Sequence, residues 1–442
     1  MSVEAARLRR RYAIGGIATG TFGTVPGMLL MPYVTDVLAI GSALAGLIVF
    51  APKAWDMILN PIAGRISDSV KGDDRRRPFL LVAGPLMGVG FFLMFVGPTQ
   101  PPLMAASWVL VTFMLAATAY AFFQVPYLAM SAEITDDYDE RSALMMWRVI
   151  VITIAIMIAG GGAPALVDLA GGARGYQLMG LVMGSLIVVG SLGVWWGTRN
   201  APMTRTEESG GRLIEQFRIV LSNAHARPLV AGFVLQAVAT TMLLAGVAYA
   251  ARHVLGSGSY ASVLFVAFMG PAVFASTWWA RSAKRRGKRS GYLIASTFLA
   301  VGLVANTATL TGELLAAVIA SVIIGIGYAG IQLFPLAMLP DIAAHDAQVS
   351  GQNRIGAYSG VWAGLELFGF ALGPALFGLV LSLGGYVSGG GVQPHSAHIA
   401  IVLGMSAIPA GLVLVSMILI ARYRLDDELK GASRPEESSS RP

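Results

Sequence analysis

The 442-residue chain has the composition of a membrane protein, because 55% of its residues are hydrophobic and only 12% are charged. It contains no cysteine, which excludes disulfides, iron–sulfur clusters and thiol nucleophiles, and its five histidines lack the spacing of metal ligands. The net charge of +7 comes from Lys and Arg in short loops between apolar runs, a distribution that favours membrane topology over nucleic-acid binding.

Twelve apolar segments are long enough to cross a bilayer, at about 20 residues per crossing. The predicted helices cover residues 13–36, 43–66, 79–97, 103–130, 144–168, 176–198, 226–251, 260–281, 291–310, 314–338, 356–383 and 397–421. The even number places both termini on one side, and the basic loops place that side in the cytoplasm. We therefore predict an all-α polytopic protein of a bacterial inner or plasma membrane.

The chain divides into two similar halves. Gln124 and Pro126 recur as Gln332 and Pro335 about 208 residues later, and a basic hairpin follows the second and the eighth predicted helix in the same register. The predicted units are a six-helix bundle at 1–198, a cytoplasmic linker at 199–225, a six-helix bundle at 226–421 and a disordered tail at 422–442. Within the linker, LIEQFRIVL has the spacing of a surface helix.

Two parallel six-helix repeats resemble the architecture of the major facilitator superfamily, whose substrate site lies at the midplane between the halves. The sequence GRISD at 64–68 also resembles the loop motif of that superfamily. The resemblance implies alternating access around a central cavity lined by the first, second, fourth, fifth, seventh, eighth, tenth and eleventh helices.

A narrower resemblance lies in WDMILNP at 55–61. It is similar to the second helix of the glycoside-pentoside-hexuronide:cation symporters, the family of the melibiose permease. The resemblance implies that Asp56 is the first acid of a cation site, but Asn60 stands where the family has a second Asp. Gly20 and Gln124 stand where sugar-transporting members carry carboxylates.

The cation-coupling candidates are Asp56, Asn60 and Glu366. Charged groups inside a bilayer cost several kcal/mol, which makes them candidates for function. A Na⁺ cage needs several oxygens and Asn60 offers only a neutral carbonyl, so we favour H⁺ over Na⁺ as the coupling ion, with Na⁺ at Asp56 as the alternative. The alternatives are that Asp56 forms a structural ion pair with Lys53 and that Glu366, which replaces the family's Lys, is a neutral group within the bundle. No other cofactor or metal is expected.

The substrate-binding candidates are Lys53, Gln124, Gln332, Trp362, Gly20 and Tyr120. Lys53 lies one turn from Asp56, and Trp362 lies one turn before Glu366, where an indole can stack on a sugar or an acyl chain. The alternatives are that the two glutamines join helices and that Trp362 only packs.

The gating candidates are Arg148, Arg141 and Asp136, at the acidic loop DDYDER before the fifth helix. The alternative for Arg148 is that it snorkels to the membrane interface. His253 and His345 fall in predicted loops, where we expect surface exposure.

The family resemblance implies a symporter of a sugar or glycoside, with lysophospholipids or other amphiphiles as the alternative because the sugar-site carboxylates are missing. An intramembrane lipid-modifying enzyme is disfavoured, because no His or Cys falls at depth. ATP-driven transport is not expected, because no glycine-rich loop ends in Lys-Ser/Thr. A ligand sensor remains a third option. The expected partners are a small-molecule or lipid substrate and membrane lipids, and the expected state is a monomer.

Overall fold

The computed structural model describes residues 3–70, 74–135, 137–201, 203, 213–352, 354–423 and 425. These residues form helices joined by short loops, and no strand occurs among them. The prediction of an all-α fold is therefore confirmed.

The α-helices are α1 Val3–Ala13, α2 Gly15–Val25, α3 Ser42–Ser69, α4 Arg77–Leu93, α5 Pro102–Ile134, α6 Tyr138–Ala170, α7 Gly172–Thr198, α8 Leu213–Ser222, α9 Ala226–Tyr249, α10 Tyr260–Arg286, α11 Lys288–Ala305, α12 Leu314–Ser350, α13 Ile355–Leu383, α14 His395–Met405 and α15 Ala407–Ala421. Single π-helical turns at Pro26–Leu30, Tyr33–Val37 and Ala250–Val254 and a 3₁₀ segment at Asn306–Thr311 extend some of them. The helix predicted from LIEQFRIVL is α8.

Eleven helical segments of the described chain are long and apolar enough to cross a membrane. The first crossing joins α1, α2 and the turn Pro26–Leu30, and the last joins α14 and α15. The twelfth apolar helix, α4, is shorter, with 17 residues. The predicted number of crossings is thus recovered.

Several helices extend beyond their predicted ends. The largest difference is in α12, which reaches Ser350 although hydropathy predicted an end at 338. Pro335 and Pro340 lie inside this helix without ending it. Hydropathy detects only the apolar stretch, whereas polar helical turns can project beyond the hydrocarbon core, and neighbouring helices can compensate for a proline.

The two six-helix halves meet along α3 and α13 and along α6 and α10. Both contacts depend on glycine. A Cβ built on Gly378 would lie 2.5 Å from the carbonyl oxygen of Ser42, and one built on Gly160 would lie 2.1 Å from the Phe265 ring. At Gly378 the backbones of the two halves therefore approach closely, and at Gly160 an aromatic ring packs against the backbone, as small residues allow in membrane helices.

The two ends of the bundle carry different polar groups. We call the end that contains Arg9 and Lys288 the termini face, and the opposite end, which contains Asp36 and Tyr386, the distal face. When α4 is counted as a crossing, even numbers of crossings separate the start of α1, the surface helix α8 and the end of α15, so these three described segments lie at the termini face.

Ion pairs at the termini face follow the internal repeat. In the first half, Nη2 of Arg76, just before α4, lies 3.0 Å from Oε1 of Glu133 near the end of α5. In the second half, Nζ of Lys288, at the start of α11, lies 2.5 Å from Oδ2 of Asp341 in α12. Each basic hairpin is therefore held to an acidic residue of its own half.

A buried amide joins three helices of the second half. Nε2 of Gln236 in α9 donates to the hydroxyls of Ser296 in α11 and Ser416 in α15, both at 2.8 Å. The hydroxyl of Tyr292 donates to its Oε1 at 2.9 Å. All polar atoms of the amide side chain thus take part in the network.

We expect Gln236→Leu to lower the free energy of unfolding by about 1 kcal/mol, because Tyr292 would lose its acceptor inside the bundle. Thermal unfolding in lipid nanodiscs measures the change. Thr297→Val is the matched control, since this exposed hydroxyl bonds only to a carbonyl of its own helix. Equal melting temperatures for the two variants would contradict a stabilising role.

Candidate functional site

A cavity of about 350 Å³ lies between the two halves. Its walls come from α2, α3, α5 and α6 of the first half and from α9, α10, α12 and α13 of the second, with one residue from α14. These are the eight crossings that the resemblance implied, together with the last one. A space shared by both halves can be exposed to either face of the membrane by a movement of one half against the other.

The cavity wall is mostly apolar. Its five phenylalanines are joined by leucine, isoleucine, valine and methionine side chains, and its polar groups are mainly hydroxyls. The phenylalanines are Phe22, Phe113, Phe265, Phe268 and Phe370. The hydroxyl groups belong to Thr19, Thr24, Tyr120, Thr240, Thr241, Ser321 and Tyr328. Among the described lining residues, only Lys53 and Asp56 are charged.

Asp56 of α3 lines the cavity and is only 6% exposed. Its Oδ1 has no hydrogen-bond partner. Lys53 lies one turn earlier, and its Nζ would be 3.5 Å from a Cβ on Gly27 of the first crossing. No ion pair within 4 Å joins Lys53 to Asp56. The predicted neighbours therefore share the cavity without a direct salt bridge.

The other two coupling candidates lie outside the lining. Asn60 is one turn after Asp56 in α3, and its buried Oδ1 has no hydrogen-bond partner. Glu366 is half-buried in α13 beside Leu367, which does line the cavity. In the described chain Glu366 has neither a hydrogen bond nor an ion pair, so Lys53 and Arg148 are not its partners in this conformation.

Three of the substrate-binding candidates group together in the first half. Gly20 and Tyr120 line the cavity, and the Tyr120 ring stacks on Phe22 with 4.8 Å between the ring centres and 19° between the planes. Oε1 of Gln124 accepts a hydrogen bond from the Thr19 hydroxyl at 2.9 Å. Gln124 thus orients a lining hydroxyl rather than lining the cavity itself.

The remaining two substrate-binding candidates lie away from the wall. Trp362 is buried in the packing between α13 and α9, where its ring stacks on Phe233 with 4.2 Å between centres. Its Nε1 has no hydrogen-bond partner. Gln332 is half-buried in α12 and makes no side-chain hydrogen bond within the described chain.

The gating candidates do not form a connected group. Asp136 lies outside the described residues. Arg141 donates to the carbonyl oxygen of Thr135 at 3.2 Å, and Glu140 pairs with Arg9 of α1 rather than with Arg148. The acidic loop is therefore tied to the first helix in this conformation.

Arg148 is a buried cation without a described acidic partner. It is 9% exposed, its Nε has no hydrogen-bond partner, and its guanidinium carbon lies 5.2 Å from the ring centre of Tyr127. Arg148, Ile152 and Ile156 follow one another at four-residue spacing along α6, and the two isoleucines line the cavity. The guanidinium is thus placed just below the cavity, toward the termini face.

Four residues close the distal face, and we call Asp36, Arg252, His253 and Tyr386 the distal lock. None of them was predicted from the sequence to be functional. Asp36, in the π-helical turn Tyr33–Val37 that follows the first crossing, is buried and accepts a hydrogen bond from the Tyr386 hydroxyl. Nε2 of His253 lies 3.2 Å and Nη1 of Arg252 lies 3.4 Å from Oδ2 of Asp36. One carboxylate of the first half thus meets three side chains of the second.

Hydrogen bonds around Thr35 extend the same closure. The Thr35 hydroxyl lies 2.8 Å from the hydroxyl of Tyr249. The backbone N–H of Gly389 donates to the carbonyl oxygen of Thr35 at 2.9 Å. In the described chain, all hydrogen bonds and ion pairs between the halves lie at this face. The structure is therefore closed at the distal face.

The expectation of a surface-exposed His253 is wrong, because its side chain is only 7% exposed and packs inside the distal lock. Its position near the end of a helix suggested a loop, but the loop after α13 folds over it and supplies Tyr386. A signal in the sequence was the carboxylate of Asp36 within an apolar segment.

Electrostatics keep Asp36 ionised. It lies beyond the membrane-spanning part of the first crossing, which ends at Leu30. Burial alone would raise its pKa, but the hydrogen bond and electrostatic interaction with His253, together with the hydroxyls of Tyr386 and Thr35, lower the pKa below its ordinary value. Burial raises the pKa of Tyr386, so its hydroxyl keeps the proton that it donates.

Within the described residues, no group of three or more His, Asp or Glu side chains is arranged to hold a metal ion.

Comparison with known proteins identifies the family. A family model described as MFS/sugar transport protein matches residues 11–427. The sodium-dependent lysophosphatidylcholine symporter 1 of Gallus gallus is 23% identical over 479 residues, covering 97% of this chain and 89% of the relative. The putative glycoside/cation symporter YagG of Escherichia coli (strain K12) is also 23% identical, over 426 residues, covering 94% of this chain and 91% of the relative.

Among solved structures, the bacterial homologue of the human lysosomal transporter Spinster, in an inward-facing and unoccupied conformation, matches with a TM-score of 0.72. The match covers 99% of this chain and 100% of that one at 16% identity, which shows a common fold. The resemblance to facilitator symporters is confirmed, and the family and these relatives are transporters rather than enzymes. The chain therefore belongs to the MFS/sugar transport family of the major facilitator superfamily, as an integral membrane secondary transporter.

Proposed function

We propose that the protein is a proton-coupled symporter of an amphiphile with an apolar tail and an anionic head group. The observation that carries the proposal is the wall of the central cavity, where five phenylalanines and many aliphatic side chains surround one Lys and one Asp. An alkyl chain of the substrate would gain about 0.8 kcal/mol for each CH₂ group that it transfers from water to such a wall.

Arg148 and Lys53 supply the positive charge for the head group. Arg148 is a buried guanidinium without a described acidic partner, and guanidinium groups bind phosphate or carboxylate through two parallel hydrogen bonds. It lies below the cavity, so a substrate with its head at Arg148 would place its tail against Ile152 and Ile156. This role for Arg148 replaces a gate through the acidic loop, whose Glu140 is paired with Arg9.

Asp56 is the coupling group in this proposal. Asp56 lines the cavity, and its Oδ1 has no hydrogen-bond partner that a bound proton would have to displace. Na⁺ would need several further oxygens, and the nearby Asn60 contributes one amide carbonyl. Glu366, on the facing helix α13, is a second unpaired carboxylate that a proton can neutralise. Relatives with sodium-dependent names make Na⁺ the alternative ion.

The transport cycle alternates which face is closed. We propose that the termini face is cytoplasmic, because the basic hairpins lie there. The distal lock then seals the outer face, and the structure represents the inward-facing state. Opening would require Asp36 to separate from its three partners in the second half.

A sugar or glycoside is the second candidate substrate. The relative YagG is named as a glycoside/cation symporter, and the stacked rings of Tyr120 and Phe22 at the cavity could face a sugar ring. Against it, a sugar needs hydrogen-bond partners for several hydroxyls, while the described wall is mostly apolar.

Ligand-induced stabilisation in lipid nanodiscs tests the choice. We expect a lysophospholipid to raise the melting temperature, an alkyl glucoside with the same tail to raise it less, and the free sugars melibiose and glucose to leave it unchanged. We further expect Arg148→Gln to weaken lysophospholipid binding by roughly tenfold or more, from the loss of a charge-assisted contact of about 1.5–3 kcal/mol.

Arg174→Gln is the control, because this exposed arginine begins α7 away from the cavity. Stabilisation by a free sugar but not by the lysophospholipid would reject the amphiphile and favour a sugar substrate. Unchanged lysophospholipid affinity in Arg148→Gln would reject the assigned head-group contact.

A further inference from the structure

The geometry of His253 fixes a proton on its Nε2 atom. Nε2 lies 2.9 Å from the hydroxyl oxygen of Tyr386 and 3.2 Å from Oδ2 of Asp36. The Tyr386 hydroxyl uses its own hydrogen for Oδ1 of Asp36. Nε2 therefore faces lone pairs on two oxygen atoms, and only an N–H at this position makes a favourable contact with both.

Adding a second proton at Nδ1 changes the strength of this contact. A neutral ring offers the carboxylate of Asp36 an ordinary hydrogen bond, whereas an imidazolium offers a charge-assisted one across the boundary between the halves. Both side chains are nearly shielded from solvent, at 7% and 3% exposure, so salt screens their attraction weakly.

We propose that His253 is a proton-binding site of the distal face, separate from the central cavity, and that protonation of its ring holds the distal lock closed. Asp36 belongs to the first half, while His253 and Tyr386 belong to the second. When the halves part, His253 loses the carboxylate and faces the distal solvent. Closure and protonation are therefore linked, because the closed state offers the imidazolium a partner that the open state lacks.

The other charges around the ring set the limits of this linkage. Arg252 already contributes one positive charge at 3.4 Å from Asp36, which weakens the preference for a second cation. The titratable or charged groups on the elements around His253 are Asp36 after the first crossing, Asp168 on α6, Tyr176 on α7, Tyr249 and Arg252 beside it, and Tyr386 after α13. The helices α10 and α14, which contact the turn Ala250–Val254, add Tyr260 and His398. Asp168 lies close to Gly258 and is the second acid of this region.

The proton at His253 is not transported. It binds from the distal solvent and returns there when the lock opens, because the ring lies on the sealed side of the cavity. Acid on the distal side therefore favours closure and slows reopening, without changing the number of ions carried per substrate. This separates the site from coupling at Asp56.

Spin labels on a cysteine pair across the distal face can test the proposal without any substrate. The chain has no cysteine of its own. Gly41 and Gly391 are exposed positions of the two halves, and an added Cβ would meet no atom within 4 Å at either. The distance distribution between labels at Gly41→Cys and Gly391→Cys in nanodiscs gives the fractions of open and closed distal face from pH 5 to pH 8, where imidazole titrates.

We expect the open-to-closed ratio to rise with pH by up to about tenfold per pH unit, the limit for one linked proton. His253→Gln keeps an N–H donor and should flatten this dependence. His253→Ala should raise the open fraction at every pH. His398→Gln, which removes a histidine from the same face, should leave the pH dependence intact.

Two results would overturn the proposal. One is a pH-independent distance in the parent pair. The other is a pH dependence that persists in His253→Gln, which would assign the titration to another group such as Asp56. Because neither result involves substrate or an ion gradient, failure here leaves the proposed symport untouched, and failure of symport leaves this test valid.

Discussion

Asp56→Asn is expected to abolish gradient-driven accumulation of substrate while leaving exchange partly intact. The side chain keeps its size, but it can no longer bind and release a proton or attract a cation. The wild-type carboxylate has no hydrogen-bond partner for Oδ1 at the cavity, and Glu366, the second unpaired carboxylate, lies outside the lining. An amide resembles the protonated acid, and the halves can still exchange faces around a bound substrate.

The measurement is uptake into proteoliposomes under an imposed pH gradient, an imposed Na⁺ gradient and no gradient, compared with counterflow exchange. We expect uphill uptake to fall at least about a hundredfold, equivalent to about 2.7 kcal/mol of lost coupling. Asp74→Asn is the control, since this acid lies in an exposed loop at the termini face. Full uphill uptake by Asp56→Asn would reject Asp56, and uptake that follows only the Na⁺ gradient in the parent protein would replace H⁺ with Na⁺.

Gly378→Ala is expected to hold the transporter open at the distal face. The added Cβ would lie 2.5 Å from the backbone oxygen of Ser42 and 3.1 Å from the Cα of Gly46, and backbone atoms cannot rotate away as a flexible side chain can. Overpacking of this kind costs about 1–3 kcal/mol, which corresponds to about a 5- to 150-fold shift against the closed state. Transport should fall in proportion.

The spin-label pair at positions 41 and 391 measures the shift directly. Gly411→Ala is the matched control, because a Cβ at this position of α15 meets no atom within 4 Å. A closed distance distribution with normal transport in Gly378→Ala would show that the contact between α3 and α13 tolerates a methyl group and that glycine is not required for closure.

The sequence was sufficient to predict the helical architecture. Long apolar runs separated by basic loops define the crossings, and the repeat of Gln124 and Gln332 indicates two halves. The repeat is visible in three dimensions as the parallel pairs Arg76 with Glu133 and Lys288 with Asp341. Helix ends were less predictable, because a polar turn beyond the hydrocarbon leaves no hydropathy signal.

The candidate site was predictable where a single polar residue interrupts an apolar helix. The predictions from such polar residues and from the family resemblance include four residues that line the cavity, namely Asp56, Lys53, Gly20 and Tyr120. The sequence could not decide whether Trp362 faces the cavity or packs between helices, because the neighbouring helices determine which face of a helix lines the cavity.

The distal lock could not be predicted from local pattern. Asp36 is separated from His253 by 217 positions and from Tyr386 by 350. Each residue alone resembles an ordinary polar group at the end of a membrane helix. These residues come into contact only in the folded protein, and the contact depends on how the two halves close.

The hydrogen bond from the Gly389 amide to the carbonyl oxygen of Thr35 makes this amide a natural reporter of opening at the distal face. Solvent deuterium can replace this hydrogen only while the bond is broken. The exchange rate at this one glycine would therefore report opening of the distal face in the native protein, without a spin label, a substrate or a substitution.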